Sequence, residues 1–194
     1  MVKEQRARPR LDRQAWARAA LGALARGGPG MVAVEPVARE LGATKGSFYW
    51  HFPDRRALLI AALELYEQEG TEAVITGLAG RPDQLRRLFS QVFRNVGGDP
   101  VYRALLAAAA DPDVGPVLRR ITRRRVDYLI TAMAQAGYPP AEARHRAVLA
   151  YTSWLGLAQA EYAAGGELFS SEQARDRYLR FLLDAILPPG RGRA

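Results

Sequence analysis

Cysteine is absent from this sequence of 194 residues, and histidine occurs only twice, at His51 and His145. The absence of cysteine excludes disulfide bonds and thiolate zinc sites, and two isolated histidines do not predict a metal cluster. Long hydrophobic runs are also missing, since no aliphatic stretch is longer than residues 104–110, which is far shorter than the roughly 20 residues that span a bilayer. The first 13 residues carry charge but no apolar segment of a secretion signal. We therefore expect a soluble cytoplasmic protein without a cofactor, a metal or a membrane partner.

Strand patterns are equally scarce, because no segment alternates apolar and polar residues over the length of a strand, and no internal repeat is visible. Apolar residues instead recur every three to four positions, which is typical of helices with one buried face. Stretches rich in glycine and proline separate about nine such segments. We predict an all-α fold with helices at residues 11–26, 34–41, 44–52, 54–78, 82–96, 101–110, 117–137, 141–164 and 171–187.

The segment 34–52, VEPVARELGATKGSFYWHF, has the pattern of two short helices joined by a tight turn. Gly42 ends the first helix, because glycine adopts the left-handed conformation without steric penalty. Thr44 can cap the second helix, whose Phe48 and Phe52 are one helical turn apart and can point inward. This spacing predicts a helix-turn-helix unit. The buried face of its first helix consists of Val34, Val37, Ala38 and Leu41.

The outer face of the second helix carries small and hydrogen-bonding groups around one cation, namely Lys45, Gly46, Ser47, Tyr49, Trp50 and His51. A glycine near the first helical turn lets the backbone approach a partner closely. We interpret this partner as the major groove of DNA. The spacing also fits an amphipathic hairpin of any helical protein, in which Tyr49 and Trp50 would be partly buried packing residues.

Basic charge is concentrated at the end of the chain that carries this unit. Residues 1–56 hold 11 of the 28 Lys and Arg residues and 5 of the 20 Asp and Glu residues, a net charge of +6 out of +8. A positive field of this kind is expected of a DNA-binding protein, because neutralising phosphates and releasing counterions supplies much of the affinity. A general polyanion or membrane-surface binder would spread its charge, whereas the alternative explanation of the basic total is solubility charge on an arginine-rich protein.

The sequence GATKGSFYWHF, with VEPVARE before it and PDRRALLIAALE after it, resembles the DNA-binding segment of the tetracycline-repressor (TetR) family over about residues 11–64. The resemblance implies that Lys45, Gly46 and Ser47 face base edges. It also implies phosphate contacts by Thr44, Tyr49, His51 and Arg55. Many members open the first of the two helices with a Ser or Thr hydroxyl, where this chain has Ala33.

We divide the chain into a helix-turn-helix DNA-binding domain at residues 1–56 and a helical effector-binding and dimerisation domain at residues 57–194. The predicted helix at 54–78 is long enough to connect the two domains. Residues 3–10 form a basic arm, which either lies along DNA or is a disordered terminus. The helices at 141–164 and 171–187 are predicted to pair with their copies in a homodimer.

The predicted helix at 117–137 contains a second group of arginines. Those at positions 119, 120, 123 and 124 share one helix face opposite the apolar residues, and no second helix-turn-helix accompanies them. We interpret this face as solvated surface rather than as a second nucleic-acid site.

Catalytic patterns are absent, since no nucleophile with a base and no paired carboxylates stand out, and we predict that the protein is not an enzyme. We favour a ligand-responsive transcriptional regulator, a repressor that binds a palindromic double-stranded DNA operator as a homodimer. The alternative is a constitutive DNA-binding protein, or an activator, without a small-molecule ligand. The nearly neutral second domain, rich in apolar helix faces, fits the sensor domain that the resemblance to the TetR family implies.

Aromatic and apolar side chains between residues 85 and 162 exceed what a simple helix seam needs. They predict a cavity between helices for a small, hydrophobic and largely uncharged effector. The predicted lining is Phe89, Phe93, Tyr102, Leu105, Tyr128, Met133, Tyr151, Trp154 and Gln159. For any one of these residues, ordinary core packing is the alternative.

Overall fold

The computed structural model describes residues 11–94 and 98–187, so the predicted basic arm at residues 3–10 lies outside the described residues. All regular elements in these two ranges are helices, and the all-α prediction is confirmed. No helix within them is both long and apolar enough to cross a membrane. The α-helices are α1 (Arg13–Gly27), α2 (Val34–Glu40), α3 (Lys45–Tyr49), α4 (Arg55–Glu67), α5 (Ala73–Leu78), α6 (Gln84–Arg94), α7 (Pro100–Ala107), α8 (Val114–Gln135), α9 (Pro140–Ala163) and α10 (Glu172–Ile186).

The first three helices enclose an aromatic centre. Trp16 of α1 meets Phe48 of α3 edge to face, with ring centroids 5.5 Å apart, and Phe48 stacks on Phe52 at 5.7 Å. All three side chains are fully buried, which confirms the inward orientation predicted for the two phenylalanines. Burial of each ring contributes about 1.5–3 kcal/mol, so the short helices α2 and α3 are stabilised by packing rather than by their own length.

A π-helical turn at Gln68–Glu72 interrupts the predicted helix at 54–78. It joins α4 to α5 without a loop, so α4, the turn and α5 form one continuous rod. With this rod counted as a single helix, the described residues contain nine helices, as predicted. A π turn widens the helix and rotates the side chains that follow, and such turns are frequent at functional sites.

Helix α8 begins at Val114, three residues before the predicted start at 117. The sequence DPDVGP predicts a break through Pro116, whereas the structure places this proline in the first helical turn. The first backbone N–H groups of a helix have no intrahelical acceptor, so proline loses no hydrogen bond there.

Two large apolar cores lie along the described chain, beside a small cluster of Ile75, Leu78 and Tyr128. The first joins the helix-turn-helix residues to α4, α7 and the start of α8, and it includes Tyr102 and Leu105. The second lies among α6, α8, α9 and α10. Trp154 of α9 packs against both cores. The rod, α8 and α9 therefore link the helix-turn-helix to the rest of the described chain.

Candidate nucleic-acid interface and ligand cavity

The turn between α2 and α3 has the geometry that its sequence predicts. Gly42 has a φ of 63°, in the left-handed region, and the Ala43 N–H donates to the Ala38 carbonyl at 2.8 Å. The Thr44 hydroxyl accepts a hydrogen bond from the Ser47 N–H at 3.1 Å and caps α3. No side chain caps α2, because Ala33 occupies its capping position.

Helix α3 presents the predicted surface to solvent. Thr44, Lys45 and Gly46 are exposed, whereas Ser47 and His51 are half-buried. Tyr49 is 55% exposed and Trp50 is 88% exposed. The alternative of an ordinary hairpin required partly buried packing at positions 49 and 50, and it fails most clearly at Trp50. The indole of Trp50 therefore lies almost wholly in solvent, where a partner can reach it.

Lys45, the cation on the exposed surface of α3, forms an ion pair in the absence of DNA. Lys45 Nζ lies 3.1 Å from Glu35 Oε1 of α2. The hydrogen bond with Glu35 raises the pKa of Lys45, so the ammonium group is charged at neutral pH. Both side chains are largely exposed, and the pair is therefore weak and can be exchanged for acceptors on a partner.

Two arginines fix the backbone around α2 and α3. Arg55 Nε donates to the Val32 carbonyl at 2.6 Å, and its guanidinium also donates to the Pro29 carbonyl. Arg13 donates to the His51 carbonyl at 2.7 Å and lies over the Phe52 ring. Arg55 thus stabilises the segment before α2, a contact that the predicted phosphate role does not include. The contact of Arg13 was missed because its acceptor is 38 residues away.

A cavity of about 380 Å³ lies where the rod meets α6, α8 and α9. Its volume falls within the range of about 300–1,000 Å³ that is typical of small-molecule sites. The cavity is lined by Gly70, Thr71, Val74, Ile75, Leu88, Phe89, Gln91, Val92, Gly98, Asp99, Pro100, Arg125, Tyr128, Leu129, Ala150, Tyr151 and Trp154. The π turn and α5 supply one wall, so the rod that begins next to α3 ends at the cavity.

Four of the nine predicted effector residues line this cavity, namely Phe89, Tyr128, Tyr151 and Trp154. The other five do not. Phe93, Leu105 and Met133 are core residues. Tyr102 and Gln159 border a separate gap of about 10 Å³, which is too small for an organic ligand. Helical spacing identifies a buried face, but it does not distinguish packed positions from cavity positions on that face.

Polar side chains in and behind the cavity wall form two hydrogen-bonded groups. Arg125 donates to Thr71 Oγ1 at 3.0 Å and to the Tyr66 hydroxyl at 3.2 Å. Tyr66 in turn donates to Asp99. Nearby, the Tyr151 hydroxyl bonds the Tyr102 hydroxyl and lies 3.3 Å from Thr122 Oγ1. Burial raises the pKa of both Tyr66 and Tyr151, so these groups act as neutral hydroxyls at physiological pH.

Arg125 is the cavity residue that sequence reasoning missed. Its spacing contained a signal, because Ile121, Arg125 and Tyr128 recur at the three- and four-residue intervals of one face of α8. Ile121 and Tyr128 are buried. As the single arginine within this apolar stripe, Arg125 therefore faces the interior, on a different side of α8 from its neighbours at positions 123 and 124.

The arginine face of α8 is not merely solvated. Arg120 and Arg124 make bidentate ion pairs with Glu67 and Glu72 of the rod, with Nε to carboxylate distances of 2.6 and 2.8 Å. Arg56 of α4 pairs with Asp113 at the start of α8. Both arginine side chains remain about half exposed, so the face is solvated as predicted. Its ion pairs were not predicted, because their acceptors lie more than 50 residues away in sequence.

An exposed α3 in a helix-turn-helix, joined through one rod to a helical body with a cavity, defines the class of helix-turn-helix transcriptional regulators. Residues 18–62 match the family model of bacterial regulatory proteins, tetR family. The match confirms the resemblance to the TetR family over the helix-turn-helix and the first part of α4. No curated protein sequence matches the chain.

Solved structures of similar fold cover nearly the whole chain. E. coli NemR in its reduced form is 17% identical, with a TM-score of 0.74 over 92% of this chain and 99% of that one. A putative transcriptional regulator from Saccharomonospora viridis in complex with choline is 18% identical, with a TM-score of 0.70 over 89% and 95%. A putative TetR-family transcriptional regulator from Rhodococcus sp. is 26% identical, with a TM-score of 0.62 over 90% and 97%.

Proposed function

We propose that this TetR-family regulator is a ligand-responsive repressor, which binds a palindromic operator as a homodimer and leaves it when a small molecule occupies the cavity. One observation carries the proposal: the rod that starts next to the exposed helix α3 forms a wall of the cavity at its other end. A ligand in the cavity therefore contacts the same element that positions α3. The alternative of a constitutive DNA-binding protein does not account for the cavity.

The coupling follows from how the rod is held. Its first part is packed in the core that also contains α1 and α3, and ion pairs with α8 fix its middle at Glu67 and Glu72. A ligand that fits the cavity in only one arrangement of the rod and α8 favours that arrangement. A tenfold loss of operator affinity requires about 1.4 kcal/mol of difference in ligand binding between the two states.

The homodimer is supported by apolar side chains that the single chain leaves exposed on α9 and α10. They are Val148, Leu149, Tyr162, Tyr178 and Phe181. A second chain packed against α9 and α10 would remove these side chains from water. A two-fold pair would also place two copies of α3 about 34 Å apart, one turn of DNA, so that two short helices read two half-sites.

The test is a footprint of the purified full chain on the DNA upstream of its own gene. The expected result is a protected palindrome whose affinity exceeds that of scrambled DNA of equal length and falls with rising salt. Equal affinity for both DNA fragments would reject operator recognition. A reporter under this upstream DNA, with and without the gene, separates a repressor from an activator, because loss of a repressor raises reporter expression.

A further inference from the structure

Among the described residues, Arg125 differs from its neighbours on α8 in what its guanidinium contacts. Arg120 and Arg124 each pair with a carboxylate. Arg125 instead donates only to neutral oxygens, those of Thr71 Oγ1, the Gly70 carbonyl and the Tyr66 hydroxyl, at 3.0, 3.1 and 3.2 Å. Its positive charge is therefore hydrogen-bonded but has no counter-ion in the described part of the chain.

The surroundings of Arg125 are aromatic and partly desolvated. Its guanidinium carbon lies 4.7 Å from the ring centroid of Tyr102 and 5.7 Å from that of Trp154. The residue is half-buried and lines the cavity. Aromatic faces attract a cation, but they do not replace the solvation that it loses, and a desolvated charge calls for an opposite one.

Asp99 lines the same cavity and is the obvious candidate for that opposite charge, but its oxygens are already engaged. Asp99 Oδ1 accepts from the Val101 and Tyr102 N–H groups and caps α7, at 2.9 and 3.1 Å. Its other oxygen accepts from the Tyr66 hydroxyl. Tyr66 therefore stands between the two charges, accepting from Arg125 and donating to Asp99. The carboxylate serves the helix terminus, and Arg125 remains available to a ligand.

We infer that the effector is an amphipathic organic anion, whose carboxylate or similar acidic group binds Arg125 and whose hydrocarbon part lies against the apolar wall. This inference rests on the proposed function and names its ligand class. The apolar wall is formed by Val74, Ile75, Leu88, Phe89, Val92 and Leu129. A guanidinium is suited to this task because its planar donors match the two oxygens of a carboxylate. The largely uncharged effector predicted from sequence did not take Arg125 into account.

The experiment compares anions with neutral molecules of the same hydrocarbon skeleton. Calorimetric titrations of the full chain would use octanoate against 1-octanol, and 2-naphthoate against naphthalene-2-carboxamide. We expect at least one anion to bind wild-type protein tenfold or more tightly than its neutral counterpart. If no anion of the two pairs binds more tightly than its neutral counterpart, the inference is overturned.

Three variants test whether Arg125 is the origin of the preference. Arg125→Met should abolish it, and Arg125→Lys, which keeps the charge but not the planar donors, should retain part of it. Arg123→Met removes the same charge from the exposed face of α8 and should bind the anion as wild type does. A preference that persists in a folded Arg125→Met protein contradicts the inference. If that variant does not fold, the Lys variant decides, since unchanged anion affinity there would point to another group.

Operator binding measured on the wild-type protein separates this inference from the proposed function. Anion binding that leaves operator affinity unchanged would reject ligand-responsive repression and keep the anion site. Release from the operator by 1-octanol or naphthalene-2-carboxamide, but by neither anion, would keep ligand-responsive repression and reject the anion site.

Discussion

Lys45 and Glu35 illustrate how one residue of the exposed helix can be kept ready for a partner. Their side chains lie 3.1 Å apart and largely in solvent, so exchanging Glu35 for a base edge costs little. While Lys45 is paired, its flexible side chain reaches from α3 to Glu35 of α2. Once Lys45 turns away, the carboxylate of Glu35 would repel DNA phosphates. Close contact between α3 and DNA is therefore favoured only where Lys45 finds a strong acceptor.

The first prediction is that Lys45→Ala relaxes sequence preference. In wild-type protein, replacing the base pair that Lys45 faces is expected to lower operator affinity about tenfold. In the Lys45→Ala variant, the same replacement should lower affinity much less. The measurement is fluorescence anisotropy with the operator and its single-base variants. Tyr49→Phe is the control, because loss of a phosphate contact by an exposed hydroxyl should weaken all these sites by the same factor. Unchanged discrimination in Lys45→Ala would remove Lys45 from base recognition.

The second prediction concerns Arg55, which donates to the Val32 and Pro29 carbonyls. Arg55→Ala should lower the free energy of unfolding by about 1–3 kcal/mol, because two backbone acceptors lose a charged donor. Urea denaturation measures this loss. Arg56→Ala is the neighbouring control and should have a smaller effect, since Arg56 pairs with Asp113 at the surface. Weaker DNA binding with unchanged stability would instead assign Arg55 to phosphate contact alone.

At the scale of elements, the rod and α8 are joined on both sides of the π turn. Glu67 and Glu72 pair with α8 at the surface, while Thr71 and the Gly70 carbonyl bind Arg125 at the cavity. The exposed pairs contribute little stability by themselves. Together with Arg125 they define the register of the rod against α8, and under the proposed function a ligand at Arg125 would act on α3 through this rod.

The third prediction tests the close contact at the start of α8. A Cβ atom at Gly115 would lie 2.6 Å from the Ala109 carbonyl oxygen, a backbone atom that cannot move away cheaply. Gly115→Ala should therefore lower the free energy of unfolding by about 1–3 kcal/mol. Gly77→Ala is the matched control, because nothing lies within 4 Å of its added Cβ and the helix α5 should gain up to about 1 kcal/mol. Equal stability of the two variants, measured by urea denaturation, would contradict the close packing of α8 on Ala109.

At the scale of the whole molecule, the proposed homodimer depends on α9 and α10. Phe181 of α10 is 71% exposed, which leaves most of an aromatic ring in water unless a second chain covers it. Large aromatic residues at the centre of an interface often supply much of its binding energy. The exposed residues of α3 and of α10 would then serve the same function, because the second copy of the chain contributes the second α3.

The fourth prediction is that Phe181→Asp yields a folded monomer. Two carboxylates buried at the interface would lose their solvation and repel each other. Light scattering after gel filtration measures the mass, and operator affinity should fall toward that of a half-site. Met31→Asp makes the same change at an exposed apolar residue near the helix-turn-helix and should remain dimeric. A Phe181→Asp protein that is still dimeric would place the interface elsewhere.

The amino-acid sequence by itself determined the local features of this protein. The capping hydroxyls of Thr44 and Ser171 and the capping carboxylate of Asp54 accept hydrogen bonds from the first helical turn that follows them. Gly42 takes its left-handed conformation in the predicted turn. These interactions join residues no more than about four positions apart, the length of one helical turn. A short segment of sequence therefore includes every residue that takes part in them. The family resemblance depends on the same short segment.

The tertiary structure decided the cavity and the long-range contacts of the arginines. Phe89 and Phe93 are one helical turn apart with ring centroids at 5.7 Å, yet only Phe89 lines the cavity. Arg124 and Arg125 are adjacent in sequence, yet one binds Glu72 at the surface and the other faces the cavity. Which position borders empty space depends on the placement of several helices at once. That placement results from many small packing terms between residues far apart in the chain, and helical periodicity carries no information about them.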